Sequence, residues 1–304
     1  MKKGYFYIFL TAIISGFSVF INKFGVSAIN PYLFTGLKNL TVACVFTGIV
    51  LAGKNRMALK QLSKKQWLWL VFIGLIGGSI PFLLFFKGLS LTTAGEASFI
   101  HKTLFVYTAI FAAFLLKEKI NKKFIIGSLL LMLGNVLLLK KLAVALDIGD
   151  LLIFGAAVFW ALESVVSKYL LKDIEANIVG WARMFFGAIF IFLFLAATGQ
   201  VSSLAILNGR QIYWVLTTAV LLGAYVLTWY NGLKYVPVSA ATAILFLGSP
   251  ITIILDLFIT GKITLAEIGA SIAIICGSAF IVGFGRLINK NSKRVDIINY
   301  DFRP

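Results

Sequence analysis

The chain has 304 residues, of which 60% are apolar and only 13% charged, with a formal net charge of +17 at pH 7. Soluble domains carry about 25% charged residues, so this composition excludes an ordinary soluble protein. The basic residues lie mainly in short segments between apolar runs, which is typical of membrane orientation and not of a nucleic-acid-binding surface. Cys44 and Cys276 lie inside apolar runs and are predicted to be core residues without a disulfide or metal role.

Ten apolar runs follow one another along the chain, each near the length of about 20 residues that a membrane-spanning helix needs. Those of the first half cover 5–27, 31–52, 67–88, 94–116 and 124–140. Those of the second half cover 149–170, 176–198, 212–233, 238–260 and 264–286. The pattern predicts an all-α integral membrane protein with ten transmembrane helices.

The basic residues also predict the orientation of these spans. With the N-terminus in the cytoplasm, 19 Lys and Arg fall on the cytoplasmic side, 6 on the outer side and 3 within spans. Because basic residues accumulate in cytoplasmic loops, both termini are expected in the cytoplasm of a multi-pass protein of the cell membrane.

The two halves of the chain repeat each other at an offset of about 145 residues. Trp69 corresponds to Trp214 and Lys38 to Arg183. Because each half has an odd number of spans, the halves enter the membrane from opposite faces, which predicts an inverted repeat with a substrate site near mid-bilayer. The predicted segments are a first five-helix repeat at 4–141, a second at 149–288 and a cytoplasmic tail at 289–304.

Ionisable residues inside spans are costly, about 2.5–3.5 kcal/mol each, and mark functional sites. In the fourth span Ser98, His101 and Lys102 share one helix face with Phe105 by their spacing. His101 is the only histidine of the chain. It is either a core histidine bonded to a backbone carbonyl or, with Lys102, part of a cavity wall.

Glu163 is the only acidic residue near the middle of a span. Three functional roles are open for it: counter-ion of Lys102, proton carrier, or ligand of a substrate amine. A fixed internal ion pair with Lys102 is the structural alternative, and it also places both residues between the halves.

Lys38 and Arg183 lie too deep in their spans to reach the membrane surface easily. As related positions of the repeat they either bind a carboxylate or phosphate of the substrate or bond helix ends across the repeat. Five aromatic residues are candidates to line the cavity: Trp160, Tyr225, Trp229, Tyr230 and Tyr107.

Glycine and proline predict a broken helix in each half. Gly74, Gly77, Gly78 and Pro81 break the third span, and Gly248-Ser249-Pro250 breaks the ninth. Broken helices point to a gate or a binding cavity, so Pro81 and Pro250 are gating candidates. Asp256 is interpreted as a gate residue or as a partner of Lys87.

The chain resembles the drug/metabolite transporter superfamily, specifically its EamA-type permeases, over about residues 4–288. The matching residues of the first half are Gly16, Lys23, Lys38, Leu116-Lys117-Glu118-Lys119-Ile120, Gly127 and Gly134. Those of the second half are Phe159-Trp160-Ala161, Lys168, Arg183, Leu247-Gly248-Ser249-Pro250 and Gly277. The chain departs from that pattern at Phe105-Val106 and at Gly261-Lys262. The resemblance implies a permease, of a family whose members move amino acids, nucleotides, sugars or cationic drugs.

The expected function is a secondary transporter that moves a small polar metabolite by alternating access, with a proton as the candidate coupling ion. Cations outnumber acids among the candidates, which favours an amino acid or another anionic or zwitterionic solute. The alternatives are an exporter of cationic drugs or a channel-like facilitator, while a membrane enzyme is disfavoured by the missing acid and metal-ligand clusters. No cofactor is expected, the partners are the solute and membrane lipid, and the protein is either a monomer or a homodimer.

Overall fold

The structure, a computed structural model, describes residues 2–26, 29–52, 55–92, 94–139, 147–201 and 207–291. The regular elements in these ranges are helices. In the first half they are α1 (Lys2–Val26), α2 (Pro31–Ala52), α3 (Asn55–Lys60), α4 (Lys64–Ile73), α5 (Ile80–Leu89), α6 (Ala94–Lys102), α7 (Leu104–Leu115) and α8 (Lys122–Leu137). In the second half they are α9 (Ile148–Leu170), α10 (Ala176–Ala197), α11 (Gly209–Leu233), α12 (Val238–Ile244), α13 (Gly248–Thr260) and α14 (Leu265–Asn291).

Within the described ranges, nine helical stretches are long and apolar enough to cross a membrane. They coincide with nine of the ten predicted spans. The remaining one, predicted at 124–140, is α8, which has 16 residues and is shorter than the roughly 20 residues that a full crossing needs. The multi-pass helical architecture is therefore confirmed, and the tenth crossing stays a prediction. Most of the predicted tail, from 292 onward, lies outside the described residues, as does the end of the first predicted half at 140–141.

Three spans are interrupted, and each interruption has a local cause. A π-helical turn at Gly74–Ser79 separates α4 from α5, and a 3₁₀ turn at Leu245–Leu247 separates α12 from α13, as the glycines and prolines predict. The break of the fourth span at Thr103 was not predicted. There the Thr103 hydroxyl donates to the Ile100 carbonyl (2.6 Å), and such a side-chain bond competes with the helical hydrogen-bond ladder.

The helices pack in a pattern that treats the two halves alike. α1 packs against α11 and α13, and α9 packs against α5 and α7. α2 packs against α10, and α8 against α14. When each span is exchanged with its counterpart in the other half, the contacts of α1 become the contacts of α9. The pairs α2–α10 and α8–α14 are unchanged by this exchange.

The small residues of the matching motifs lie where helices meet closely. A Cβ on Gly127 would lie 2.8 Å from the Gly277 carbonyl oxygen, so these glycines let α8 and α14 approach each other at the backbone. The prediction that the cysteines are core residues is wrong, because Cys44 and Cys276 are both exposed on the outside of the bundle. An apolar run does not distinguish the lipid-facing side of a span from its buried side, since both are apolar.

Candidate functional site

A cavity of about 440 Å³ lies between the two halves. This volume is in the range of roughly 300–1,000 Å³ that small-molecule sites occupy. It reaches Leu89, the last residue of α5, whereas in α12 the lining includes Thr242, one turn beyond the start of that helix. The cavity therefore approaches the surface at the end of the bundle where α5 finishes.

All nine residues predicted for substrate binding line this cavity. The ionisable ones are Lys38, His101, Lys102, Glu163 and Arg183. The others are Ser98, Trp160, Tyr225 and Trp229. The elements that carry them come from both halves, so the repeat brings together residues more than a hundred positions apart.

Glu163 is the centre of a buried hydrogen-bond cluster. Its side chain is 1% exposed. Its Oε1 accepts from the hydroxyls of Tyr230 and Ser167, each at 2.5 Å. Its Oε2 lies 4.0 Å from Nη1 of Arg183. The carboxylate is thereby held by two hydroxyl donors and one guanidinium, an arrangement that compensates a buried charge.

The alternative in which Glu163 forms an ion pair with Lys102 disagrees with the structure, because the cation beside Glu163 is Arg183. Spacing in the sequence places Lys102 slightly outward and Glu163 slightly inward of the membrane midplane, and such depths alone do not tell which cation comes closest to the carboxylate. Tyr230 was an aromatic candidate for the cavity wall, yet it lies behind Glu163 and is fully buried. Ser167 was missed, although it stands four residues after Glu163 and so shares its helix face.

The broken third span supplies a backbone acceptor to the same cluster. Pro81 has no N–H, so the carbonyl of Gly77, four residues earlier, lacks its helical donor. That carbonyl accepts from Nε1 of Trp160 at 3.0 Å and from Nε of Arg183 at 3.2 Å. Pro81 is buried and is absent from the cavity lining. It acts on the site indirectly, because it leaves the Gly77 carbonyl free to accept from Trp160 and Arg183.

Glycine is required at this turn by close approach. A Cβ on Gly77 would overlap the Glu163 side chain, and a Cβ on Gly78 would overlap the backbone of Arg183. A Cβ on Gly187 would lie 2.5 Å from the Gly78 oxygen. The π-helical turn and α10 therefore meet backbone to backbone, and this brings Arg183 within reach of the Gly77 carbonyl.

Lys102 and Lys38 differ from Arg183 in their surroundings. Within the part of the chain that the structure describes, neither lysine has a carboxylate partner. Lys102 Nζ lies 5.8 Å from the centre of the Phe246 ring. Lys38 Nζ donates to Oδ1 of Asn22 at 3.3 Å and lies 4.6 Å from the centre of the Phe86 ring.

His101 is packed among aromatic rings at the cavity wall. Its ring lies edge-to-face with Phe85 at 5.2 Å and with Trp160 at 5.1 Å between ring centres. His101 was interpreted either as a core histidine or as part of a cavity wall, and its place in the lining agrees with the second interpretation. Tyr107, another aromatic candidate, is not in the lining and packs against Phe154.

The other gating candidates also stand outside the cavity wall. Pro250 is buried in the first turn of α13, and Asp256 is half-buried further along that helix. The neighbouring Gly248 and Thr252 do line the cavity, and the Thr252 hydroxyl donates to the carbonyls of Gly16 and Gly248, each at 3.0 Å. The pairing of Asp256 with Lys87 stays a prediction.

Two charged residues of the matching motifs, Glu118 and Lys168, form hydrogen bonds to helix ends where α11 finishes and α12 begins. Glu118 accepts from the backbone N–H groups of Val238 (2.8 Å) and Ser239 (3.2 Å) at the start of α12, and from the Ser239 hydroxyl (2.6 Å). Lys168 donates to the carbonyl of Leu233 at 2.6 Å, at the end of α11. An acid at a helix N-terminus and a base at a C-terminus both complement the helix dipole.

Comparison with known proteins agrees with this architecture. The EamA-like transporter family matches residues 2–140 and 147–283 of the chain. An uncharacterized transporter of Clostridium kluyveri is 26% identical over 97% of this chain and 95% of the relative. The uncharacterized transporter YyaM of Bacillus subtilis is 26% identical over 98% of this chain and 100% of the relative. A crystal structure 20% identical in sequence covers 95% of this chain and 99% of its own with a TM-score of 0.77, which shows the same fold.

The two matching halves supply helices of membrane length that pack around a cavity lined by ionisable side chains. This arrangement defines a multi-pass membrane protein of the transporter class. Because the family matches nearly the whole chain, in two successive copies, the protein belongs to the EamA-like transporter family.

Proposed function

We propose that the protein is a secondary transporter that moves a small organic anion or zwitterion across the cytoplasmic membrane by alternating access, without a chemical step. The observation that carries this proposal is the cavity between the halves, where Lys38 and Lys102 face the interior without a carboxylate partner among the described residues. Burying a charge without a partner is costly, and an anionic solute lowers that cost when it binds.

The proposal includes ten crossings, with 4–141 and 149–288 as inverted repeats and both termini in the cytoplasm. It is supported by the packing pattern that survives exchange of the halves and by the 19-to-6 distribution of basic residues. In this orientation α5 ends at the outer face, so the cavity is nearest the outer surface. Glu118 and Lys168 then bond helix ends on the cytoplasmic side.

Glu163 has a fixed role in this proposal, because its carboxylate is already bonded to Tyr230, Ser167 and Arg183. Arg183 likewise bonds the helix break across the repeat, which was one of its two predicted roles. We keep the proton as the candidate coupling ion. Measuring whether an imposed pH gradient drives solute uptake into liposomes tests this coupling directly.

The experiment is solute counterflow into liposomes that contain the purified full-length protein, with leucine, succinate and glucose 6-phosphate as probes. Saturable exchange that is lost in Lys102→Met and kept in Lys65→Met supports the proposal, since Lys65 is exposed at the start of α4. Exchange of tetraphenylphosphonium alone would support the cationic-drug alternative. Flux that does not saturate and needs no solute on the opposite side would support a channel.

A further inference from the structure

The charged groups of the cavity fall into two sets. Glu163 and Arg183 are compensated within the protein, because the carboxylate has the Arg183 guanidinium beside it and the guanidinium also donates to the Gly77 carbonyl. Lys38 and Lys102 have no carboxylate partner in the part of the chain that the structure describes. The charge available to a ligand is therefore positive.

An amine finds no free carboxylate among the described residues that line this cavity. Among the residues that the structure describes, Glu163 is the only acidic one in the cavity lining, and its Oε1 already accepts two hydroxyl hydrogens. Its Oε2 lies beside the Arg183 guanidinium, so an ammonium group placed there would meet a like charge. An ammonium that loses water without gaining an anionic partner is disfavoured.

The walls around the lysines are aromatic. Phe246 packs edge-to-face on Phe105 near Lys102, with 5.1 Å between ring centres. Elsewhere in the lining, Trp160 packs against Phe82 and Phe85, with 5.3 and 5.5 Å between ring centres. Of these rings, Trp160 and Phe85 are half-buried and offer apolar surface to the body of a ligand, while Phe82, Phe105 and Phe246 are buried. A small hydrophilic anion would leave the surface of Trp160 and Phe85 without contact.

We infer that the ligand is a carboxylate with an apolar body and without an ammonium group, bound by Lys38 or Lys102 and packed on the aromatic wall. This inference rests on the proposed transport function and narrows its ligand from anions and zwitterions to apolar organic anions. Under it, an amino acid binds more weakly than the same carbon skeleton without its amine.

Matched pairs of compounds test this directly. Calorimetric titration of the purified full-length protein at pH 7 compares 3-phenylpropanoate with phenylalanine, and 4-methylpentanoate with leucine. The members of each pair differ in the ammonium group alone. We expect each amine-free acid to bind at least tenfold more tightly than its amino acid, and phenethylamine not to bind. Equal or tighter binding of the amino acids would overturn the inference.

Variants locate the binding charge. We expect Lys102→Met or Lys38→Met to weaken 3-phenylpropanoate binding at least tenfold, while the exposed control Lys65→Met leaves it unchanged. Lys102→Arg and Lys38→Arg keep the charge, so they should retain most of the affinity and show that loss in the methionine variants is not unfolding. Unchanged affinity in both methionine variants would overturn the assignment of the lysines.

Binding and transport fail separately in this design. If 3-phenylpropanoate binds through a lysine but neither 3-phenylpropanoate nor any other probe is exchanged in liposomes, the ligand class stands and the transport function is wrong. If leucine is exchanged in liposomes but binds more tightly than 4-methylpentanoate, transport stands and the inference is wrong.

Discussion

The pairing of Glu163 with Arg183, and not with Lys102, makes a quantitative prediction. In Glu163→Gln the amide oxygen can still accept from Tyr230 and Ser167, but the amide NH₂ replaces the oxygen 4.0 Å from the Arg183 guanidinium. Removing one partner of a buried ion pair costs about 3–5 kcal/mol. Because the amide keeps both hydroxyl bonds, the further cost of about 1–3 kcal/mol for each unsatisfied donor is avoided.

Glu163→Ala should therefore destabilise the protein more than Glu163→Gln does. Arg183→Met should be strongly destabilising alone, and its combination with Glu163→Gln should cost less than the sum of the two changes. Contacting residues show coupling energies of about 0.5–3 kcal/mol, and we expect this pair in the upper part of that range.

The assay is reversible unfolding of purified variants in detergent, with the four members of each double-mutant cycle measured together. The matched cycle combines Lys102→Met with Glu163→Gln, and we expect a smaller coupling there, since no bond joins those side chains in the structure. Additive effects in the Arg183 cycle, or stronger coupling in the Lys102 cycle, would refute the proposed pairing.

Three further predictions use other parts of the chain. Gly78→Ala should lower the melting temperature, because the new Cβ would overlap the backbone of α10, whereas Gly48→Ala has open space and should be neutral or stabilising; equal effects would contradict the close packing. Glu118→Ala should lower stability by about 0.5–2 kcal/mol, the usual cost of a lost helix cap, measured by the same unfolding assay; an unchanged protein would show that the cap contributes nothing. In a variant without its native cysteines, Lys65→Cys should be labelled from the cytoplasmic side and Arg210→Cys from the outside, and labelling of both from one side would contradict the topology.

The sequence predicts the spans and the cavity residues well because both depend on strong local signals. Lys38, His101 and Glu163 stand out since ionisable groups are rare within apolar runs. The same signals do not reveal which charges pair. The sequence gives the depth of a residue along the membrane normal, but it does not give its position in the plane of the membrane. The bond between Arg183 and Gly77 depends on the rotation of α10 and on a carbonyl whose availability follows from Pro81.

The missed break at Thr103 has a similar explanation. Glycine and proline predict the other two interruptions, but a threonine within a membrane helix usually returns its hydroxyl to the backbone without ending the helix. At Thr103 the hydroxyl also lies 3.2 Å from the Tyr107 hydroxyl, and that arrangement depends on neighbouring rotamers. No pattern of residue types encodes it.

The contact between Gly78 and Gly187 bears on how the halves can move. No side chain separates the two backbones there. The π-helical turn and α10 therefore lack side chains between them whose rotamer changes could let one slide past the other. Interdigitated side chains permit small shear between helices by changing rotamers, but two main chains in direct contact do not. This turn and α10 should therefore move as a single unit that carries Arg183 and the Gly77 carbonyl together, so that a conformational change alters the shape of the cavity while this hydrogen bond stays closed.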